Sequence, residues 1–511
     1  MNQPENTELG PRLPPHDVND LGDRARSGSA WIIIATGAAK SVGFITQFAL
    51  AWFLSRREFG VFAIAVSLSV MLSVLRDGGL PMVLIERGRR FDYFAGPVFW
   101  MMLAINLVTG SIILLAAEPT ARSYQIPELA SVIALFAINI PLCVPSALLS
   151  LRLNVDMRFK ELGVIQLISA VLRNGLTLYF AWAGYGARSF LLPLLVTNVT
   201  DAIMLWSVTR FYPWLSPARF HLWPELFRSG RWVILGTFAI ALGNNGAYLL
   251  LGKLLPSDVL GTYFFAYQLV MQLGIVLSDN VYQVLFAAFV RMHADIPRIR
   301  SAVLRSLNVV VLIGATASLS IAAVYEPLER GLWHGKWASA TTTIYILGLV
   351  WPAAAGVSVL RALQAAGGRF NQWGIITLCN SIVTVAGTVV GAYVTGTSFG
   401  AALGFALGAM LGAWLNARYA LAAIHINLRK ALVVVMRPWL VMALAAVGAK
   451  AATQHVSGAL LQLLVTLLLL FVFAYGGLLL FSRDSLNLLL MSVRQVLGTK
   501  RINQLPFLRK S

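Results

Sequence analysis

Three ionisable side chains, Lys40, Arg173 and Asp201, fall deep inside runs of apolar residues. Such a group costs about 2.5–3.5 kcal/mol at the centre of a membrane helix, so each one demands a reason. One carboxylate cannot neutralise two cations. A buried bridge from Asp201 to either Lys40 or Arg173 would therefore leave net positive charge at mid-depth. The alternative is a water-filled cavity that binds an anionic group, with the forked guanidinium of Arg173 suited to phosphate. Gln47, Asn174, Asn244 and Asn245 add donors and acceptors at similar depth. Sugars would use them, although each could equally bond a neighbouring helix. Asn244-Asn245 lies between Gly243 and Gly246, where a helix can bend or a backbone can come close. Arg76, Asp77 and Asp279 lie nearer a helix end and read as gating or structural charges, Arg76 by snorkelling to the interface.

No catalytic or metal-binding constellation accompanies these residues. Gly37-Ala38-Ala39-Lys40-Ser41 lacks the spacing of a phosphate loop, so ATP hydrolysis by this chain is not expected. His-Glu-x-x-His and Gly-x-Ser-x-Gly are both missing. His293, His334 and His425 are isolated, and Cys143 and Cys379 lie in apolar runs that define no disulfide framework. The expectation is a protein that is not an enzyme, with no catalytic residues, no metal and no cofactor.

The elements that position the charges are membrane helices. Of the 511 residues, 58% are hydrophobic and 12% charged, against roughly 25% charged in a soluble domain. Mean hydropathy is +0.74. A soluble core cannot hide that much apolar surface. Apolar runs recur along the chain and predict an all-α polytopic membrane protein with about 14 transmembrane helices, each needing about 20 residues. The thirteenth, with Arg437 and Lys450 near its ends, has the least secure apolar stretch. The tail before the first run is polar and has no signal-peptide-like segment, so that run is expected to serve as its own uncleaved insertion signal.

A net charge of +19 would suggest nucleic acid in a soluble protein. Its placement decides otherwise. With the N-terminus in the cytoplasm, most of the 40 Lys and Arg residues fall on the cytoplasmic side. Arg56, Arg57, Arg122, Arg188, Lys253, Arg330, Lys336 and Lys450 fall outside. That asymmetry follows the positive-inside rule and predicts both termini in the cytoplasm. Membrane lipids are the partners such charge would meet, and no nucleic-acid partner is expected.

The second half repeats the first. Arg26-Ser27-Gly28 matches Arg228-Ser229-Gly230, Gly60 matches Gly261, and Val74-Leu75-Arg76-Asp77 matches Val276-Leu277-Ser278-Asp279. Pro141, Arg158-Phe159 and Gly163 align with Pro352, Arg369-Phe370 and Gly374. An even number of helices per copy makes the repeats parallel, with the binding cleft between two bundles. The division predicted is a cytoplasmic tail at 1–28, a first six-helix bundle at 29–212 and a cytoplasmic linker at 213–229. A second six-helix bundle follows at 230–425, then two additional helices at 426–482 and a basic cytoplasmic tail at 483–511. Gly396, Gly400, Gly404, Gly408 and Gly412 would line one face of the twelfth helix for close packing. Pro141, Pro145, Pro193 and Pro352 are expected to kink their helices.

Several segments resemble a known family. They are Met157-Arg158-Phe159-Lys160 with Gly163 and Gly184-Tyr185-Gly186, the stretch Val284-Leu285-Phe286-Ala287-Ala288-Phe289-Val290-Arg291 running into Asp295-Ile296-Pro297-Arg298, and Arg76-Asp77-Gly78-Gly79-Leu80. Their order over 28–425 is similar to that in the polysaccharide transporter (lipid-linked oligosaccharide flippase) family of the multidrug/oligosaccharidyl-lipid/polysaccharide exporter superfamily. Ala287 stands where members of that family often carry proline, which bears on the bend of the eighth helix. The resemblance implies export of polyprenyl-pyrophosphate-linked sugar repeat units across a bacterial inner membrane. The products would be exopolysaccharide, capsule or lipopolysaccharide, with polymerase and chain-length proteins of the assembly system as partners. Rival readings are a cation-coupled drug or metabolite antiporter of the same superfamily, a membrane-embedded sugar polymerase or ligase, and a passive scaffold. The antiporter would centre on a midplane carboxylate, the enzyme would need a large outer loop, and the scaffold would need neither Lys40 nor Arg173.

The charge asymmetry makes a direct prediction. Fluorescent-protein fusions at either terminus should be bright and alkaline-phosphatase fusions there inactive; the opposite pattern would invert the topology.

Overall fold

The computed structural model describes residues 36–77, 84, 91–292, 295–367 and 370–487. Long α-helices account for most of them. They are α1 (36–53), α2 (Arg56–Asp77), α3 (Phe91–Tyr124), α4 (Glu128–Val155), α5 (Phe159–Trp182), α6 (Leu192–Thr209) and α7 (Trp223–Leu254). The remainder are α8 (Ser257–Arg291), α9 (Ile296–Leu332), α10 (Thr341–Ala366), α11 (Phe370–Thr395), α12 (Ser398–Ala422), α13 (Leu428–Thr453) and α14 (Ala459–Phe481). Among the described residues, 10 helices are long and apolar enough to cross a membrane, α13 included. The chain is an all-helical, multi-pass membrane protein. Its largest apolar side chains divide accordingly: Phe59, Tyr263, Phe265 and Trp337 are buried, whereas Leu115, Trp182, Tyr393 and Leu460 stand on the outside where lipid can cover them.

Local sequence explains where several helices begin. The Asp295 carboxylate accepts from the Arg298 amide at 3.0 Å, with Pro297 in the first turn of α9. Asn427 caps α13 through the Arg429 amide at 2.9 Å. Thr397 caps α12 through the Gly400 amide at 3.2 Å. Gly396 does not join the glycine stripe. It turns the chain ahead of α12 at φ +66°, a conformation suited to a residue without Cβ. The other four stripe glycines do pack. A methyl group on Gly400, Gly404, Gly408 or Gly412 would overlap Gly391, Gly387, Thr384 or Asn380 of α11.

Three further expectations are corrected. Pro193 occupies the first turn of α6, where its missing N–H is no loss, so it starts that helix instead of kinking it. Pro141, Pro145 and Pro352 do lie inside helices. The second half of the expected linker is helical, because α7 already begins at Trp223. Instead of the about 20 residues a crossing needs, the third and ninth helices run to 34 and 37 residues. At about 1.5 Å per residue they outreach a hydrocarbon core of about 30 Å.

Within the first half, α3 packs on α4, and α6 on α4 and α5. Within the second, α10 packs on α8, α9 and α12, and α11 on α7 and α12. The helices α13 and α14 pack on each other and on α9. Between the halves, α2 lies against both α7 and α8. There the matched glycines meet reciprocally: a methyl group on Gly60 would overlap the Ser257 carbonyl, and one on Gly261 would overlap the Arg56 carbonyl. Residues separated by the same sequence offset thus exchange places across the contact, as a pseudo-two-fold axis requires.

Gly60→Val or Gly261→Val should cost at least about 1–3 kcal/mol of stability by overpacking this contact. Gly476→Ala, with nothing within 4 Å of the added Cβ, should be neutral. Thermal unfolding in detergent, followed by size-exclusion chromatography, reads both; equal melting of all three variants would refute the contact.

Candidate binding face of the first bundle

The face builds from α1. At about 3.6 residues per turn, Lys40, Gly43, Gln47 and Ala51 share one side of this helix, and Ile45 and Trp52 lie on the other. Ile45 and Trp52 are 67% and 53% exposed, the pattern of a lipid-facing stripe, whereas Gln47 and Ala51 are 7% and 0% exposed. Lys40 is exposed, yet it sits on the side that buries Gln47. The Gln47 amide nitrogen is buried without a hydrogen-bond partner. Opposite Gly43 stands Asn174 of α5, whose Oδ1 would lie 4.0 Å from a Cβ added at that glycine. Asn174 donates its own amide back to the Ala170 carbonyl at 2.7 Å, leaving Oδ1 toward α1.

Helix α5 is exposed on two opposite sides. Val164, Ile168, Val171 and Trp182 form an apolar exposed side. Arg173 and Gln166 are also exposed but lie half a turn away, flanked by buried Ala170 and Thr177. Only one side of a membrane helix can face acyl chains. Asp201 on α6 accepts from the Ser169 hydroxyl of α5 and is within electrostatic reach of Arg173. Among the described residues, neither Lys40 nor Arg173 forms an ion pair with it within 4.0 Å. The buried bridge considered from sequence is not the arrangement adopted.

The structure thus gathers Lys40, Gln47, Arg173, Asn174 and Asp201 on neighbouring faces of α1, α5 and α6. It does not bring Asn244 and Asn245 to them by any described contact. Asn245 donates to the Ala241 carbonyl at 3.4 Å. Asn244 lines a cavity of about 10 Å³, roughly one water, with Tyr248, Tyr263 and Tyr267 inside the second bundle. The side chains of Arg76, Asp77 and Asp279 lie outside the described residues.

Several polar groups escaped the sequence reading. Lys450 of α13 donates to the Tyr345 hydroxyl at 2.5 Å and pairs with Glu326 of α9 at 3.1 Å, and Arg330 also pairs with Glu326. The (i, i+4) spacing of Glu326 and Arg330 was the one available signal. Ser55, Arg57, Glu58, Glu128, Tyr185 and Arg188 surround a polar crevice of about 640 Å³ where three turns of the first bundle meet. An apolar cavity of about 460 Å³ lies among α9, α10, α12 and α13, lined by Leu307, Pro352, Trp414 and Trp439 among others. Among the described residues, no charged side chain lines it.

Polar and charged side chains gathered on neighbouring helices of a multi-pass membrane fold point to a class, the helical membrane transporters. The fold is that of solved members: the lipid II flippase MurJ in an inward closed conformation aligns with TM-score 0.69 over 88% of this chain and 98% of that one, at 12% identity. An inward-facing multidrug resistance MATE family transporter of the MOP superfamily aligns with TM-score 0.56 over 78% and 99%, at 16% identity. Residues 49–342, more than half the chain, match the family described as polysaccharide biosynthesis protein, and the chain belongs to that family. Lipopolysaccharide biosynthesis protein WzxC of Escherichia coli (strain K12) is 23% identical over 334 residues, covering 65% of this chain and 67% of that protein. Succinoglycan biosynthesis transport protein ExoT of Rhizobium meliloti (strain 1021) is 25% identical over 328 residues, 62% of this chain and 64% of that protein. The alignments thus span about two thirds of these relatives.

Lys450 sits apart from the polar face and joins helices. Lys450→Met should therefore lower stability by about 1 kcal/mol and leave transport intact. Melting temperature and polymer export, measured side by side, check this; loss of export at unchanged stability would contradict it.

Proposed function

We propose that this protein carries lipid-linked oligosaccharide units across a bacterial inner membrane during surface-polysaccharide assembly, its two bundles giving alternating access to the cleft between them. The observation that carries the reading is the placement of Lys40 beside Gln47, away from the lipid-facing stripe of α1 and next to the α5 face that bears Arg173 and Asn174. A pyrophosphate head needs such cations, and the amides beside them suit sugar hydroxyls. The polyprenyl tail can stay among acyl chains, where it costs nothing to solvate. Family membership and the names of the relatives support the same substrate class. With the N-terminal tail in the cytoplasm, cargo enters from the inner leaflet and leaves at the C-terminal end of α1. A polymerase acting on the released unit is the expected partner.

An antiporter would need a carboxylate free to exchange cations. Asp201 is bonded to Ser169 and lies near Arg173, which disfavours that role.

In a strain lacking this gene, Lys40→Gln combined with Arg173→Gln should abolish surface polymer while membrane levels of the protein stay normal. Lys40→Arg should retain export. Full polymer from the doubly neutralised protein would overturn the assignment of this face to the substrate phosphate.

A further inference from the structure

The last carbonyls of an α-helix find no partner within it. At the end of α1 the Ala51 and Trp52 carbonyls, with the Phe48 carbonyl about one turn earlier, accept from the other half of the molecule. The turn joining α9 to α10 reaches across the interface: Trp333 Nε1 donates to the Phe48 carbonyl at 3.2 Å, Trp337 Nε1 to the Ala51 carbonyl at 2.9 Å and Lys336 Nζ to the Trp52 carbonyl at 2.8 Å. Trp52 Nε1 returns a bond to the Leu332 carbonyl, and Arg56 donates to the Ser339 hydroxyl at 3.0 Å. A Lys ammonium at this position also meets the negative end of the helix dipole. Burial lowers the Lys336 pKa, and the nearby Glu58 charge opposes that shift. The rings add contact area: Trp333 stacks on Phe48 at 5.6 Å, and Trp337 lies 5.1 Å from Phe59 and 4.1 Å from Phe265.

The turn is itself braced. The Trp337 amide donates to the buried Glu329 carboxylate at 2.9 Å, and its carbonyl accepts from the Tyr325 hydroxyl at 3.0 Å. His334 and Gly335 both have positive φ, 51° and 89°, which folds the segment back tightly enough to present both indoles to α1. The pseudo-equivalent junction has a smaller version. At the end of α3 the Tyr124 hydroxyl donates to the Leu249 carbonyl of α7 at 2.8 Å, with Lys253 Nζ 5.5 Å from the same ring.

We propose that the Leu332–Ser339 turn is a latch closing the mouth of the cleft at the C-terminal end of α1, with Glu329 as the positioning residue that aims Trp337. The proposal rests on the reading of this chain as an alternating-access transporter. Its bonds suit a reversible closure, because water can replace each indole or ammonium donor when the helix end is uncovered. Tyr124 and Leu249 form a second, weaker closure on the opposite side of the pseudo-axis.

The test uses full-length protein carrying Cys143→Ser, Cys379→Ser and the reporter Thr46→Cys, a buried position on α1 below the latch. A membrane-impermeant maleimide is added to the outside of spheroplasts. Trp333→Phe with Trp337→Phe, which keeps rings and removes donors, should raise the labelling rate about tenfold, the loss of a hydrogen bond or two. Glu329→Leu should do the same, and Glu329→Gln, which keeps an acceptor for the Trp337 amide, should label at the reference rate. Unchanged labelling in the Trp or Leu variants overturns the latch, and so does a Gln variant that labels as fast as the Leu variant. This arm needs no cargo, so it stands or falls separately from the substrate assignment. In the second arm, a reducible bifunctional methanethiosulfonate bridges Ala51→Cys and Trp337→Cys. Export should stop and return on reduction; export that continues while the bridge is intact overturns the gating role.

Discussion

Everything else in this molecule depends on how closely α2 and α8 approach. Helix association in lipid lacks the solvent-driven force that packs soluble cores, so contact must come from fit. Gly60 and Gly261 supply it by letting each helix rest on the other's first-turn carbonyls, at Ser257 and Arg56. That contact brings the two halves together at one end and sets where α1 can meet the α9–α10 turn. It also surrounds the crossing with aromatic side chains, Phe59, Tyr263, Phe265 and Trp337. Among the described residues, this joint of glycine, aromatic rings and replaceable hydrogen bonds carries no buried ion pair that opening would strand.

Polar groups are divided by task. Lys450, Glu326, Arg330 and Tyr345 pair among themselves and fasten α13 to the second half, helped by the Trp439 indole on the Leu349 carbonyl at 2.9 Å and by Asn308 on the Val434 carbonyl at 3.3 Å. Helix α13 is thereby tied to α9 and α10. Lys40 and Arg173 have no such carboxylate within ion-pair distance among the described residues. Among the described residues, the charges that join α13 to the second half are paired, and Lys40 and Arg173 are not paired with a carboxylate. Membrane burial enforces this division, because an unpaired cation at depth persists only where water or substrate reaches it.

Much of this was legible in the chain before folding was considered. Hydropathy identified helices along the whole length. The glycines matched between the halves, Gly60 and Gly261, lie at the contact that relates them, and Gly400 through Gly412 pack on α11. Pro193 and Gly396 were misjudged for one reason: the same residue type serves a helix start or a turn as readily as a kink or a packing stripe, and only backbone geometry tells them apart. The latch was illegible. Trp333, Lys336 and Trp337 bond carbonyls nearly three hundred residues away in sequence, and a carbonyl carries no residue-type signature.

What the sequence determined alone is the solvent and the periodicity. Its apolar excess demands a bilayer, its repeated pattern demands two related halves, and its few deep charges demand a polar interior to receive them. The tertiary structure decided which of the charges pair with each other and which stand without a carboxylate beside them. Composition counts charges along a line, whereas pairing depends on distances between helices that the line does not contain. Asp201 illustrates this: by sequence it was a partner for Lys40 or Arg173, and in the fold the Ser169 hydroxyl reaches it first.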